Sequence, residues 1–338
     1  MNPLVHVLRQ YGINVFSQEQ MTPRVWKIMT QKRIFALKKS TLTDQTIGQW
    51  YTLYRLRESK QLFFIVPVYQ NITGSIYTKV DNSIYYLMPW IPEEKEHPGQ
   101  GTTKDFFASL GRLHGATKQS YYVNYTATEE QIKWNKLEME KKYERLLMYI
   151  DRLEEKRYMS PFGLEVCTQF HQVEQIFQAL ARSYDNYLTD VKSEEFEFQS
   201  ICHGYPTASH YLATTDAGCF INWDYAHMGD PMMELATAIY YQTYRHDTNI
   251  LHITEAIPYY EKQSPLTFSQ LDLLAIYLLQ PDAYLAVIQQ YLAEQSRQLT
   301  LTPLLLQNYR RIIAGLSIQG HLQQHRDQLL EKDEEQTD

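Results

Sequence analysis

The sequence predicts an α+β chain in two parts, a small antiparallel sheet followed by a larger, mainly helical region. Three observations predict it. Up to about residue 92 the apolar residues fall in short β-rich runs, such as Val25-Trp26-Lys27-Ile28 and Ser83-Ile84-Tyr85-Tyr86-Leu87-Met88. Beyond about residue 102 they recur at helical spacing over long stretches. Within that second part, residues 199–240 break the helical pattern with a strand, a polar loop, a hairpin and a capped helix.

Taken in order, residues 1–11 read as a short helix. Val15 and the run 25–28 suggest paired strands joined by a glycine-free turn at 17–23, and 33–39 a third strand that carries Lys38. A helix is expected at about 44–58, then strands around 64–68, 75–80 and 83–91. The polar stretch 93–101 is expected to link a first domain, 1–92, to a second, 93–330. In 103–118, Phe106, Leu110 and Leu113 fall on one helical face. Thr128-Glu129-Glu130-Gln131 has the capping-box pattern and opens a Lys/Glu-rich helix to about residue 157. Its inward stripe is expected to be Tyr143, Leu146, Leu147, Ile150 and Leu153; its outer face reads as solvated, with an interaction surface as the alternative. Pro161 breaks the chain before a second long helix over 164–190. Further helices are expected at 250–262, 267–278, 281–296 and 302–330, and the acidic stretch 331–338 as a frayed tail.

The central segment is denser in signals. Residues 200–203 form a short apolar strand, turned at Gly204 and Pro206. Thr215-Asp216-Ala217-Gly218 is a hairpin tip and 219–223 its return strand. Asp230 suits a helix N-cap and Pro231 the first helical position.

Composition narrows the partners. With 338 residues, 44% of them hydrophobic, the chain can bury a substantial core. A net charge of −7 without a basic stripe argues against nucleic acid. Cys167, Cys202 and Cys219 have no disulfide or zinc spacing, which suits a reducing compartment. His210 with Cys202, Cys219 and His227 as a zinc site is set aside on the same ground. The N-terminus lacks a signal-peptide core, and the run 62–68 is too short to span a bilayer, so no membrane is expected. The 27 tyrosines are unusual; clusters at 121–125, 240–244 and 259–260 are candidates for exposed contact surface.

The central segment resembles the aminoglycoside phosphotransferase/choline kinase superfamily, whose members share a protein-kinase-like two-lobe fold. That family reads roughly H-G-D-x-x-x-x-N, I-D-[WF]-[ED] and G-D-P-x-x-[DE]-L-A. Here the slots hold His203-Gly204-Tyr205 and His210, Ile221-Asn222-Trp223-Asp224, and Gly229-Asp230-Pro231 with Glu234-Leu235-Ala236. The resemblance implies that Tyr205 stands where the catalytic Asp would be, His210 where a metal-binding Asn would be, and Asn222 where the Mg²⁺-binding Asp would be. Mg²⁺ prefers carboxylate and phosphate oxygens, and a phenol with a pKa near 10 is a poor base, so no catalytic residue and no metal ligand set are expected. Lys38, Pro89, Ile91 and Asp224 are expected to mark a vestigial nucleotide site, with no cofactor beyond weak ATP/Mg binding. The helix at 44–58 has no interior acid to pair with Lys38. YGINV, A-L-K-K, Y-Y-L-M-x-W-I, G-R-L-H-x-A and A-H-x-G-D-P are most similar to the spore-coat branch, the CotS/YutH-type proteins. That resemblance implies a protein made in the mother-cell cytoplasm that binds other spore coat proteins. An atypical phosphotransferase, with Asp224 as its metal ligand, is the alternative.

Overall fold

The computed structural model describes residues 3–92, 102–212, 218–243 and 250–335. The chain divides into two compact units, residues 1–117 with 200–229 and residues 118–199 with 230–338.

The first unit is built on a five-stranded antiparallel sheet in the order β1-β2-β3-β5-β4. Its strands are β1 (Ser17–Thr22), β2 (Val25–Met29), β3 (Ile34–Lys39), β4 (Thr78–Val80) and β5 (Ser83–Pro89), with helix α1 (Pro3–Gln10) before them and α2 (Ile47–Ser59) between β3 and β4. The period of two sorts each strand into faces. Leu37, Tyr85 and Leu87 pack with Val7 and Leu8 of α1 in one core. On the opposite face Lys38 lies directly across from Tyr86, whose ring sits 5.1 Å from that of Trp50 on α2. This face thus carries a buried lysine among aromatic rings.

Helix α3 (Thr102–Thr117) closes the N-terminal stretch of this unit, with Phe106, Leu110 and Leu113 buried as expected. The chain re-enters the unit through the second half of β7 (Phe196–Cys202), which pairs β10 (His227–Gly229). Between them lie β8 (Tyr211–Leu212), β9 (Cys219–Phe220) and a 3-10 turn at Trp223–Tyr225. Phe220 touches Phe106 edge-on at 5.1 Å, and Ser109 and Tyr211 hydroxyls meet at 3.1 Å, so α3 seats the returning segment.

The second unit is mainly helical. It contains β6 (Gln119–Tyr122), paired with the first half of β7, and helices α4 (Tyr125–Glu154), α5 (Pro161–Glu194), α6 (Pro231–Gln242), α7 (Ile250–Thr254), α8 (Ile257–Glu261), α9 (Phe268–Leu278), α10 (Asp282–Ala293) and α11 (Gln298–Glu335). Its core joins Leu146 and Ile150 of α4, Val173 and Ile176 of α5, Ile276 of α9, Ile288 of α10 and Ile312 of α11. Arg326 of α11 ties α5 and α9 together, bonding Asp190 at 2.9 Å and Asp272 at 2.7 Å. The stretch Phe268–Ala293 is apolar enough in composition to cross a bilayer, but it is two helices parted before Asp282 and two-thirds buried.

Several expectations are corrected. Residues 17–22 are strand rather than turn; the reversal is Pro23-Arg24 alone, and β1 is so exposed that it lacks the alternation of a half-buried strand. Residues 64–68 form no strand. Ile65 makes a single parallel bridge to Phe220 and its carbonyl accepts from Arg57 Nε at 2.7 Å, while Pro67 has no N–H to offer a ladder. The strand expected at 75–80 begins only at Thr78, because Asn71 holds the preceding turn by accepting from Thr73 and Ser75 N–H. Helix α4 is capped by Asn124, which accepts from Ala127 N–H, and Thr128 lies inside it. Leu147 faces outward. The helix expected over 250–262 is two, α7 and α8, with a proline in the first turn of α8. The return strand stops at Phe220, and Asn222 adopts a left-handed conformation with φ 66°. Helix α11 runs through Glu335, taking in most of the expected tail. The linker at 93–101, the hairpin tip at 215–217 and Tyr244 lie outside the described residues.

Gly204 sits at φ +81°, where a Cβ would fall 2.2 Å from the Tyr225 carbonyl oxygen. Gly204→Ala is therefore expected to destabilise the first unit by more than about 2 kcal/mol, measured by urea unfolding. A loss under about 0.5 kcal/mol would contradict the packing of the loop against residue 225.

Candidate functional site

Within the first unit the described chain gathers Lys38, Tyr205, His210, Asn222 and Asp224 into one polar cluster. At its centre is Asp224, held by the 3-10 turn that the left-handed Asn222 initiates and only 6% exposed. Its Oδ2 accepts from Ser40 Oγ at 2.9 Å, Thr41 N–H at 2.9 Å and Thr41 Oγ1 at 3.1 Å. Its Oδ1 accepts from Tyr86 Oη at 2.8 Å and pairs with Lys38 Nζ at 3.0 Å. Burial alone would push this carboxyl up, but Lys38, Thr41 N–H and Tyr86 outweigh it and hold it below the usual carboxylate range. Burial pulls the Lys38 ammonium down, only partly offset by Asp224. The Tyr86 phenol, fully enclosed, is pushed far up and stays a donor.

From Lys38 the network runs outward. Lys38 donates to Asn222 Oδ1, and Asn222 Nδ2 lies 2.9 Å from His210 Nε2. His210 Nδ1 lies 3.0 Å from the Tyr205 carbonyl. A carbonyl can only accept and an amide NH₂ can only donate, so His210 is the neutral tautomer protonated at Nδ1. Burial agrees, pulling its pKa below the usual imidazole value. The three positions that depart from the family pattern thus satisfy one another and the lysine.

His203 is a structural residue by the same reasoning. Fully buried, it donates through Nε2 to the Ile221 carbonyl at 2.8 Å and accepts the Tyr205 N–H at Nδ1. Asp230 caps α6, accepting from Met232 N–H at 2.8 Å. Pro89 lies three residues beyond Tyr86 on β5, across from Phe35, and Ile91 follows it half-buried; neither joins the cluster. The imagined zinc ligands do not converge, since both nitrogens of His210 are engaged and His227 Nδ1 meets the Tyr225 carbonyl. The strand has ended before Asn222, and the turn brings both Asn222 and Asp224 to Lys38.

Sequence reasoning missed Ser40, Thr41 and Tyr86. Their only signal was position: Ser40-Thr41 directly follows the lysine strand, and Tyr86 is its cross-strand neighbour. It also left Lys38 without a carboxylate, because α2 lacks an interior acid. The α2 face here is Trp50 and Tyr54, buried, with the indole N–H and the phenol O–H lacking a partner among the described residues.

The superfamily implies a divalent cation and a nucleotide, and the donor set does not fit them. A hard cation needs free anionic oxygens. Both oxygens of Asp224 are taken by five donors, Asn222 offers one neutral oxygen already bonded to Lys38, and His210 offers an imidazole. A phosphate at Lys38 would have to displace two partners inside a buried site.

Both His210 and Asp224 have folded pKa values below their ordinary 6.5 and 3.8, so the folded state binds fewer protons than the unfolded one. Their stabilisation is complete above those ordinary values and is lost as pH falls, His210 first. Urea melts are expected to show stability falling more steeply below pH 6.5 in the unaltered chain than in His210→Gln, the difference isolating His210 from groups such as Asp272, whose raised pKa acts in the opposite sense in both. An identical limb in His210→Gln would contradict the neutral assignment.

Solved structures share this fold at low identity. They include an aminoglycoside phosphotransferase from Alicyclobacillus acidocaldarius subsp. acidocaldarius DSM 446, at 12% identity and TM-score 0.67 over 95% of this chain and 96% of that one. The microcompartment-associated aminopropanol kinase matches at 12% and 0.52 over 93% and 96%. Amicoumacin kinase hAmiN, solved with AMP-PNP, Ca²⁺ and Ami, matches at 12% and 0.50 over 88% and 87%. No curated protein matches by sequence. The sheet-built N-terminal lobe and mainly helical C-terminal lobe are those of a kinase-like fold. Its residues 18–256, well over half of its length, match the phosphotransferase enzyme family (APH), and the chain belongs to that family.

Proposed function

We propose that the chain is a pseudokinase: a member of the phosphotransferase family whose catalytic centre is degraded and which acts by binding and scaffolding. The observation that carries the reading is the closed network at Asp224. Phosphoryl transfer is catalysed by positioning and by metal-assisted charge neutralisation, and here the groups that would hold phosphate and metal hold each other. Tyr205, in the place of the base, offers a phenol rather than a carboxylate and is exposed.

The setting proposed is the endospore coat, with synthesis in the mother-cell cytoplasm and other coat proteins as partners; the motifs shared with the spore-coat branch support it. Of the tyrosine clusters, the described residues that are exposed are Tyr121, Tyr122 and Tyr259, whereas Tyr260 is buried and Tyr240 half-buried. The second reading, an atypical phosphotransferase acting on a small molecule or a coat protein, is favoured by two observations: the Lys38–Asp224 pair is present, and the structural neighbours include an aminoglycoside phosphotransferase and an aminopropanol kinase.

The test is turnover of ATP by purified protein with Mg²⁺ or Mn²⁺. The expected result is background hydrolysis. The combined change Tyr205→Asp, His210→Asn and Asn222→Asp is expected to raise the melting midpoint with MgATP, since it restores hard oxygens, without efficient transfer. Metal-dependent turnover by the unaltered chain that Asp224→Asn abolishes would overturn the proposal in favour of the second reading.

A further inference from the structure

Helix α4 carries more apolar surface outward than a solvated helix needs. Trp134 is 58% exposed, Leu137 49%, Leu147 37% and Met148 58%, all within 15 residues of one helix. Leu137, Glu140, Glu144 and Met148 follow one another at i, i+3, i+7 and i+11, which makes a single ridge at 3.6 residues per turn. Trp134 extends the ridge one turn toward the N-terminus. Alongside runs a groove of about 410 Å³ between α4 and α5, floored by Met139, Phe177 and Ala181 and rimmed by Glu140, Glu144 and Glu174.

The groove lining is one-sided in charge, with Glu140, Glu144 and Glu174 and no lysine or arginine. Lys133, Lys141 and Arg145 are exposed on α4 outside that lining, Lys141 paired with Glu138 at 2.7 Å, while Lys136 and Lys142 pair with Asp185 and Asp282 at 2.7 Å. Glu174 accepts the Tyr143 hydroxyl at 2.7 Å, whereas Glu140 and Glu144 stand exposed on the ridge. The face is therefore apolar with an acidic edge. A second copy laid against it would bring like charges together, which is unfavourable. A partner helix with apolar residues along one side and lysine or arginine beside them would fill the groove and neutralise the rim, with Trp134 and Met148 as anchors.

We infer that the α4 ridge and the α4–α5 groove form a docking surface for a basic amphipathic helix of a protein partner. The inference deepens the scaffolding reading and takes only the existence of a protein partner from it.

The probe is a synthetic helical peptide of about 20 residues, with leucine at i, i+3 and i+7 and lysine on the flanks, added to the full chain. Trp134 fluorescence is expected to shift to the blue on binding, and affinity to fall at least about tenfold in Met148→Ser and in Glu140→Lys/Glu144→Lys. The same peptide with glutamate in place of lysine is expected not to bind the unaltered chain and to bind the double lysine variant. Because these side chains are exposed, melting midpoints check that the variants remain folded, and Leu299→Ser, 84% exposed on α11, serves as an unaffected control. Absence of binding, equal binding of both peptides, or binding indifferent to Met148 and the glutamates would overturn the inference. So would a dimer of the unaltered chain that Met148→Ser converts to monomer. ATP turnover is read separately, so an active chain that still binds the peptide through this face overturns the pseudokinase reading and leaves the docking surface standing.

Discussion

A buried carboxylate dominates the first unit. Taking the charge of Asp224 out of water costs several kcal/mol, and the chain meets that cost with an ammonium, two hydroxyl side chains, a backbone N–H and a phenol. Those donors come from β3, the residues that follow it, and β5. The carboxylate thereby fixes the end of β3, the face of β5 and the turn after β9 relative to one another. Asn222 completes the arrangement from a left-handed conformation that asparagine tolerates better than most residues. Its amide accepts from the lysine at one end and donates to His210 Nε2 at the other, which an aspartate, having no donor, could not do.

The three departures from the family pattern are therefore coupled. Aspartate at 222 would offer only oxygens, leaving His210 Nε2 without its donor and setting a second negative charge beside Asp224. A lysine between two carboxylates would draw different partners. Tyr205 joins the network through its carbonyl, which faces His210 Nδ1, and its ring lies 5.2 Å from the His210 ring. The α2 face fits the same account: with Lys38 engaged by Asp224, that face carries aromatic rings rather than an acid, Trp50 lying tilted against Tyr86 and Tyr54.

The architecture was legible in the sequence because period and punctuation agree over long stretches. β3, β5, α3, α5 and the Asp230 cap stand close to where alternation, helical spacing and Asp-Pro place them. β1 was hidden because both its faces meet solvent, and the 64–68 run misled because a buried apolar segment need not join a ladder when an arginine and a single bridge satisfy its backbone. At the site, the sequence identified Lys38, Tyr205, His210, Asn222 and Asp224, but not that they bond to each other. That depends on a turn at 222–225 and on a cross-strand tyrosine, neither of which leaves a periodic trace. The uncompensated polar atoms of Trp50 and Tyr54 are visible only in three dimensions.

The central claim is that Lys38 and Asp224 serve each other. A double-mutant cycle on Lys38→Met and Asp224→Asn, with stability from urea unfolding, tests it most directly. Either change alone leaves a buried charge or its donors uncompensated and is predicted to cost about 3–5 kcal/mol. The double variant is predicted to cost clearly less than the two together, with a coupling on the order of 2 kcal/mol. Costs that add to within about 0.5 kcal/mol would contradict the account, because the two groups would then owe their burial to other partners.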